Sequence, residues 1–129
     1  QGRIVHSSTI DVGATTMIHS FAITERDVVF WELPVVFSLE DAMAGAANPF
    51  RWRPEYGARI GIMPLGGSGD DIRWVEIDPC YVFHEVNAYR DGDTVILDVC
   101  RHNLAFAGDD EVEVRRIHRW RVDTGAGQL

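Results

Sequence analysis

Two stretches of this chain each place a histidine inside a strand-like apolar run: Met17-Ile18-His19-Ser20-Phe21-Ala22-Ile23-Thr24-Glu25 and Tyr81-Val82-Phe83-His84-Glu85-Val86-Asn87-Ala88-Tyr89. Side chains alternate between the two faces of a strand, so His19 is expected to share a face with Phe21, and His84 with Val82. An imidazole among apolar neighbours needs a partner, because an unpaired buried polar group costs free energy. That partner is either a backbone carbonyl, as for an ordinary core histidine, or a metal ion. Spacing does not decide between them, since ligands on separate strands have no fixed separation.

Size and composition predict one soluble globular domain. The chain has 129 residues, of which 46% are hydrophobic and 25% are charged, an ordinary balance. It contains no run of about 18 apolar residues and no signal-peptide pattern, so neither a membrane span nor a secretory leader is expected. The net charge of −8 argues against a nucleic-acid partner, because phosphates attract basic surfaces.

The two cysteines, Cys80 and Cys100, are expected to be free thiols. A tight turn over Arg90–Asp93 pairs Tyr89 with Thr94, and the same register puts Cys80 beyond the position that faces Cys100. Two free thiols are typical of a reducing cytoplasm.

Strand and turn patterns cover almost the whole chain. The predicted strands are Arg3–Ile10, Thr16–Ile23, Asp27–Trp31, Arg59–Leu65, Ile72–Ile77, Tyr81–Tyr89, Thr94–Cys100 and Val112–Val122. One helical pattern follows Ser38, a candidate N-cap with Asp41 at the third helical position. The class is therefore all-β, as a propeller, a sandwich or a barrel, with at most one short helix.

Gly66-Gly67-Ser68-Gly69-Asp70-Asp71 is interpreted as a hairpin tip. A phosphate-binding loop is the alternative, but no Gly-Lys-Ser/Thr follows it, no helix pattern succeeds it, and two aspartates would repel phosphate.

Four groups of residues, in order over nearly the whole chain, resemble the carotenoid cleavage oxygenase family, which includes lignostilbene dioxygenases and the retinal pigment epithelium isomerase. They are His19–Glu25 with Val28-Val29-Phe30, Arg73-Trp74 before Asp78-Pro79-Cys80, Phe83–Tyr89 with Asp98 and Cys100, and Ile117–Asp123. Ser20 and Arg90 depart from the residues common in that family (Asp and Glu), and neither is expected to ligate a metal.

The resemblance implies a fragment, about two blades, of a seven-bladed β-propeller with a non-haem Fe(II) on its axis. Residues 1–129 correspond to a partial propeller domain, the middle quarter or so of such an enzyme. Four histidines hold the iron in the family; His19 and His84 correspond to the second and third of them. The other two, and the glutamates that orient three of the four, belong to sequence outside this segment, so Glu25, Glu32 and Glu85 are not assigned that role.

The implied activity of the parent is cleavage of a conjugated C=C bond of a carotenoid, an apocarotenoid or a stilbene with O2. The partners are an apolar small molecule and O2, and the chain alone is expected to be inactive. A non-catalytic propeller domain with structural histidines is the alternative. A zinc hydrolase ranks last, because no Glu-x-x-His pattern is present.

Three further expectations concern surfaces. The stretch Ala42–Trp52 is either a surface helix or a lip that gives the intact protein peripheral membrane contact. His6, His102 and His118 match no ligand position. A piece of a propeller leaves blade faces uncovered, so the chain alone is expected to self-associate.

Overall fold

Nine β-strands in three antiparallel sheets dominate the computed structural model, which describes residues 2–107 and 112–125. The strands are β1 (Ala22–Ile23), β2 (Asp27–Glu32), β3 (Val35–Phe37), β4 (Phe50–Trp52), β5 (Ala58–Pro64), β6 (Arg73–Ile77), β7 (Tyr81–Asp91), β8 (Thr94–His102) and β9 (Arg115–Asp123). One α-helix, α1 (Leu39–Met43), and two 3₁₀ turns, Pro54–Tyr56 and Gly69–Asp71, accompany them. The sheets have the orders β1-β2-β5-β6, β3-β4 and β7-β8-β9. The predicted all-β class with one short helix is confirmed.

The core lies between the four-stranded and the three-stranded sheet. Its fully buried side chains come from both, and include Val29, Trp31, Ile60, Val82, Val95, Leu97, Val99 and Val122. Strand β2 runs between β1 and β5, and burial covers both of its faces. This explains its continuous apolar sequence, since alternation is needed only where one face meets water. No described helix is long and apolar enough to cross a membrane.

The N-terminal segment is less regular than predicted. Arg3–Ile10 forms no strand, and only Ala22–Ile23 of the predicted strand Thr16–Ile23 is one. Other partners take the backbone groups: Met17 N donates to Val35 O at 2.8 Å, and Ser8 Oγ accepts from Gly69 N at 3.0 Å. Isolated contacts of this kind satisfy hydrogen bonds without building a ladder.

Helix α1 begins as predicted and ends earlier. Ser38 is its N-cap and accepts a hydrogen bond from Asp41 N at 3.2 Å. It ends at Met43 because Gly45 adopts φ +80°, and Ala46 N then donates to Asp41 O at 2.9 Å, the pattern of a Schellman cap. The interpretation of 42–52 as a helix is therefore wrong beyond Met43, and its last residues form β4, paired with β3.

The hairpin of β7 and β8 is tighter than the residue count indicated. Asp91 pairs with Thr94 at the tip, so the predicted pairing of Tyr89 with Thr94 is wrong. Two register shifts along β7 compensate for this two-residue offset. At the far end of the hairpin Tyr81 therefore pairs with His102, as the predicted pairing of Tyr89 with Thr94 would also require. The predicted free thiols are confirmed: Cys80 is buried and Cys100 half-buried, both unbridged. Gly66–Asp71 connects β5 to β6, as expected of a hairpin tip.

Candidate functional site

Residues 17–25 and 81–90 run side by side in the same direction. The hydrogen bonds between them join Met17 O to Tyr81 Oη (3.1 Å), Phe83 O to His19 Nδ1 (3.0 Å), Glu85 Oε2 to Ser20 Oγ, and Glu25 Oε2 to Arg90 N (3.3 Å). The two residue numbers in each contact differ by 64 or 65. A constant difference means that both segments advance in the same direction. Strands β1 and β7 are the edges of their sheets, so side chains, rather than a β ladder, hold the segments together.

His19 and His84 lie at the same level of these parallel segments, because they too are 65 positions apart, the separation of the Ser20 and Glu85 contact. Their ring centroids are 5.0 Å apart and the ring planes are nearly perpendicular, at 89°. A metal–imidazole nitrogen bond is about 2.1 Å long, so rings at this separation are close enough to contact one ion.

The hydrogen bond of His19 determines which of its nitrogens is free. A carbonyl oxygen only accepts, so Nδ1 carries the proton that it donates to Phe83 O. The lone pair is then on Nε2, which is the arrangement of a neutral imidazole that ligates a metal while its other nitrogen is held by the protein. His84 makes no hydrogen bond to the described part of the chain.

Both histidines are exposed in this chain, which corrects the expectation that they are buried. For His84 the reason is the register of β7, which shifts between Val82 and Glu85 and again between Glu85 and Asn87. A bulge interrupts the simple alternation of side chains and re-aims the residues within it. Val82 is therefore fully buried while His84 is exposed.

The three glutamates near the site bind other groups. Glu85 accepts from Ser20, Glu25 from the backbone N of Arg90, and Glu32 from Tyr56, Arg59 and Gly13 N. The Ser20–Glu85 contact was not anticipated from the sequence. No local pattern specifies it, because the two residues are 65 positions apart.

Arg90 joins the two segments beyond the histidines. Its Nε and Nη2 donate to Asp27 Oδ2 and Oδ1 at 2.7 and 2.8 Å, and its Nη1 donates to Thr124 Oγ1 at 3.0 Å. Burial raises the pKa of Asp27, but the hydrogen bonds from Arg90 and Thr24 outweigh it and leave that pKa below its usual value. Arg90, which stands where many members of the family have Glu, thus has its partner, Asp27, inside this chain.

The remaining histidines are not paired with His19 or His84, although the His102 ring packs against Phe83, with centroids 5.0 Å apart. His102 is buried and bonded to Glu113, His6 Nε2 contacts Gly67 O at 2.8 Å, and His118 is exposed. Among residues 2–107 and 112–125, no group of three or more histidines, cysteines and carboxylates is arranged to hold a metal. A cleft of about 680 Å³ adjoins His84, and its lining combines apolar residues such as Phe83, Phe106 and Ile117 with the charged residues Glu113, Arg115 and Arg116.

The fold and the paired imidazoles define a class: all-β chains in which the segment before β1 and the edge strand β7 of another sheet bring one histidine each to the same point. The family described as retinal pigment epithelial membrane protein matches residues 1–128. The chain belongs to that family, as its motifs predicted.

Individual relatives agree with this assignment. The carotenoid cleavage oxygenase of Mycobacterium tuberculosis is 30% identical over 177 residues, covering 99% of this chain and 35% of that protein. The isoeugenol monooxygenase of Pseudomonas putida is 31% identical over 137 residues, covering 98% of this chain and 28% of that protein. The chain thus spans about a third or less of the length of these relatives.

Solved structures share the fold. The lignostilbene dioxygenase of Pseudomonas brassicacearum superposes with a TM-score of 0.84 at 26% identity, over 98% of this chain and 28% of that one. The cobalt-substituted ACO of Synechocystis gives a TM-score of 0.75 at 24% identity, over 87% of this chain and 26% of that one. The predicted fold, a fragment of a β-propeller, is confirmed.

Proposed function

We propose that this chain is the central part of a non-haem Fe(II) dioxygenase that cleaves a conjugated C=C bond of an apocarotenoid, carotenoid or stilbene with O2. The observation that carries the proposal is the pair of imidazoles at one level of two parallel segments, with ring centroids 5.0 Å apart. His19 and His84 are the two iron ligands that this chain contributes, and two further histidines come from the rest of the protein.

The residues present fit such a metal. Neutral imidazoles are common ligands for iron, and His19 donates its Nδ1 proton to Phe83 O, which leaves Nε2 free. The ACO structure is described as cobalt-substituted, so a protein of the same fold holds a metal ion. The chemistry that Fe(II) supplies in such a site is the binding and activation of O2.

The surroundings of the pair favour an apolar substrate. Aromatic rings lie beside the histidines, with Phe83 5.5 Å from His19 and Phe106 5.9 Å from Phe83 between centroids. Burying a CH2-sized unit contributes roughly 0.8 kcal/mol, so a long polyene or a stilbene binds such a surface without a charged anchor. By their descriptions, the relatives named above act on a carotenoid, on isoeugenol and on a lignostilbene.

The first test is metal content and activity of the full-length protein. We expect one iron per chain and O2-dependent cleavage of an apocarotenoid or a hydroxylated stilbene. His84→Ala should lose the bound iron and the activity, whereas His118→Ala, which removes an exposed histidine outside the site, should retain both. If His84→Ala leaves the iron content unchanged, the result would instead support a non-catalytic propeller domain with structural histidines.

The 129-residue chain alone is expected to be inactive and to self-associate. It should be inactive because two imidazoles are too few for a tight iron site. It should self-associate because an apolar groove of about 380 Å³ lies open on its surface, lined by Ile10, Val12, Ile18, Phe21, Val28 and Phe30. Light scattering at rising protein concentration measures the association, and Phe21→Ser should reduce it. A strictly monomeric profile, or O2-dependent cleavage by the chain alone, would contradict these expectations.

We also place the intact protein in the cytoplasm, where its two free thiols stay reduced. Leu39 and Met43, which are 66% and 81% exposed, are the proposed points of peripheral membrane contact. Flotation of the full-length protein with lipid vesicles tests this contact, and Met43→Ser should weaken it.

A further inference from the structure

Ser20 and Glu85 each directly follow one of the two histidines, and their side chains bind each other. Ser20 Oγ donates a hydrogen bond to Glu85 Oε2, and both residues are half-buried. A hydrogen bond to an ionised carboxylate is about twice as strong as one between neutral groups. The residue after His19 is thereby tied to the residue after His84.

The main chain of β7 leaves His84 without a regular pairing. Val82 pairs with Arg101 and Glu85 with Val99, and the register shifts between these two pairs. Phe83 and His84 lie inside that irregular stretch. Strand pairing alone therefore does not determine the direction of the His84 ring, and contacts from outside the hairpin must do so.

Two contacts from the segment that carries His19 bracket this stretch. On one side of His84, Phe83 O accepts from His19 Nδ1 at 3.0 Å; on the other, Glu85 accepts from Ser20. The ring of Phe83 is in turn packed against Tyr81, with centroids 4.6 Å apart. Among the hydrogen bonds between the described residues of the two segments, the Ser20–Glu85 bond is the one made by two side chains. Substitution can therefore remove it without changing a main-chain partner.

We propose that Ser20 and Glu85 are a positioning pair, which holds the two histidine-bearing segments in the register that lets both imidazoles bind one metal ion. This inference rests on the proposed function, because it assigns the pair a role toward the metal. It concerns residues that do not themselves ligate the ion. Groups that orient metal ligands typically change metal affinity 10- to 100-fold when they are removed.

The test measures metal binding by the full-length apoprotein, titrated anaerobically with Fe(II) and with Co(II), whose visible bands report ligand geometry. We expect Ser20→Ala and Glu85→Ala each to weaken affinity roughly 10- to 100-fold and to shift the Co(II) bands. The double variant should bind no more weakly than either single variant, since both remove the same contact. Ser20→Thr keeps the hydroxyl and should restore affinity.

Two controls separate positioning from general effects. Ser68→Ala removes the same type of contact, Ser68 Oγ to Asp71 Oδ2 at 2.8 Å, in the turn between β5 and β6, and should leave metal binding unchanged. Glu85→Gln keeps an acceptor for Ser20 but removes the charge, so an affinity near that of the wild type assigns the effect to the hydrogen bond. Thermal melting of each apo variant shows that binding is measured on folded protein.

The outcomes distinguish the two proposals. If the wild type binds the metal and His84→Ala abolishes binding, but Ser20→Ala binds like the wild type, the positioning role is wrong and the iron site stands. If the wild type binds neither ion, or His84→Ala has no effect, the iron site fails and the positioning role fails with it. Weakened binding with unchanged Co(II) bands would also overturn the positioning role, because the ligand geometry would then be unaltered.

Discussion

The buried carboxylates of this chain and the exposed histidines His19 and His84 differ in how many hydrogen bonds the protein makes to them. Glu32, 1% exposed, accepts from Gly13 N at 2.9 Å, from Arg59 Nε at 2.7 Å and from Tyr56; burial and then this contact with Glu32 raise the pKa of Tyr56 to about 12. His19 has one hydrogen bond and both histidines are exposed. We therefore expect the buried carboxylates to stabilise the fold more than His19 and His84 do.

The largest loss of stability is expected from Arg90→Ala. Asp27 is 3% exposed and Arg90 is its bidentate partner, so the variant leaves a buried carboxylate without its cation. Removing one partner of a buried ion pair costs about 3–5 kcal/mol. Urea unfolding at fixed protein concentration measures the loss. Arg119→Ala is the matched control, because it breaks a bidentate pair with Asp98 in which the arginine side chain is 53% exposed; an equal loss in both variants would contradict the role of burial.

Acid sharpens this comparison. The pKa of Asp27 is lower in the folded chain than its usual value of 3.8, so its contribution to stability is present above about pH 4 and is lost as the pH falls through the folded-state pKa. In Arg90→Ala the arginine no longer lowers the pKa of Asp27, so that pKa is higher than in the wild type. Protonation then removes the unpaired buried charge and with it part of the loss of stability. The difference in unfolding free energy between wild type and Arg90→Ala should therefore shrink below about pH 4. A difference that stays constant down to pH 3 would show that Asp27 is not its source.

Local patterns predicted most of the strands, but not the long-range contacts around the two histidines. Strands β5 to β9 follow from apolar runs between turn residues, and the cap at Ser38 from its own neighbours. The pairing of Arg90 with Asp27 and of Ser20 with Glu85 joins residues 63 and 65 positions apart, which no local pattern specifies. The bulges that expose His84 depend on register along the whole hairpin. Both histidines were proposed as metal ligands because the motifs around them resemble a family, and that role stays a prediction.

An intermediate loss is expected from Glu32→Gln. The amide keeps the size of the side chain but has a single acceptor oxygen. If that oxygen accepts from Gly13 N and Tyr56, the Arg59 donors at 2.7 and 2.6 Å lose their acceptor. Losing hydrogen bonds to a charged group costs roughly 1.5–3 kcal/mol. Glu76→Gln is the control, since Glu76 faces Arg59 across β5 and β6 but is exposed, and it should have little effect. Equal urea midpoints for wild type and Glu32→Gln would show that the network is not stabilising.

The smallest loss of stability is expected from His84→Ala, which tests directly whether the fold depends on this exposed histidine. The ring is exposed and makes no hydrogen bond to the described residues, so its loss should change the unfolding free energy of the apo chain by less than about 0.5 kcal/mol. His102→Ala removes the same side chain from a buried position bonded to Glu113 and should cost roughly 1–3 kcal/mol. Urea unfolding of both variants tests the contrast. A loss from His84→Ala as large as that from His102→Ala would mean that the fold needs this imidazole, and a structural histidine would then explain it without a metal.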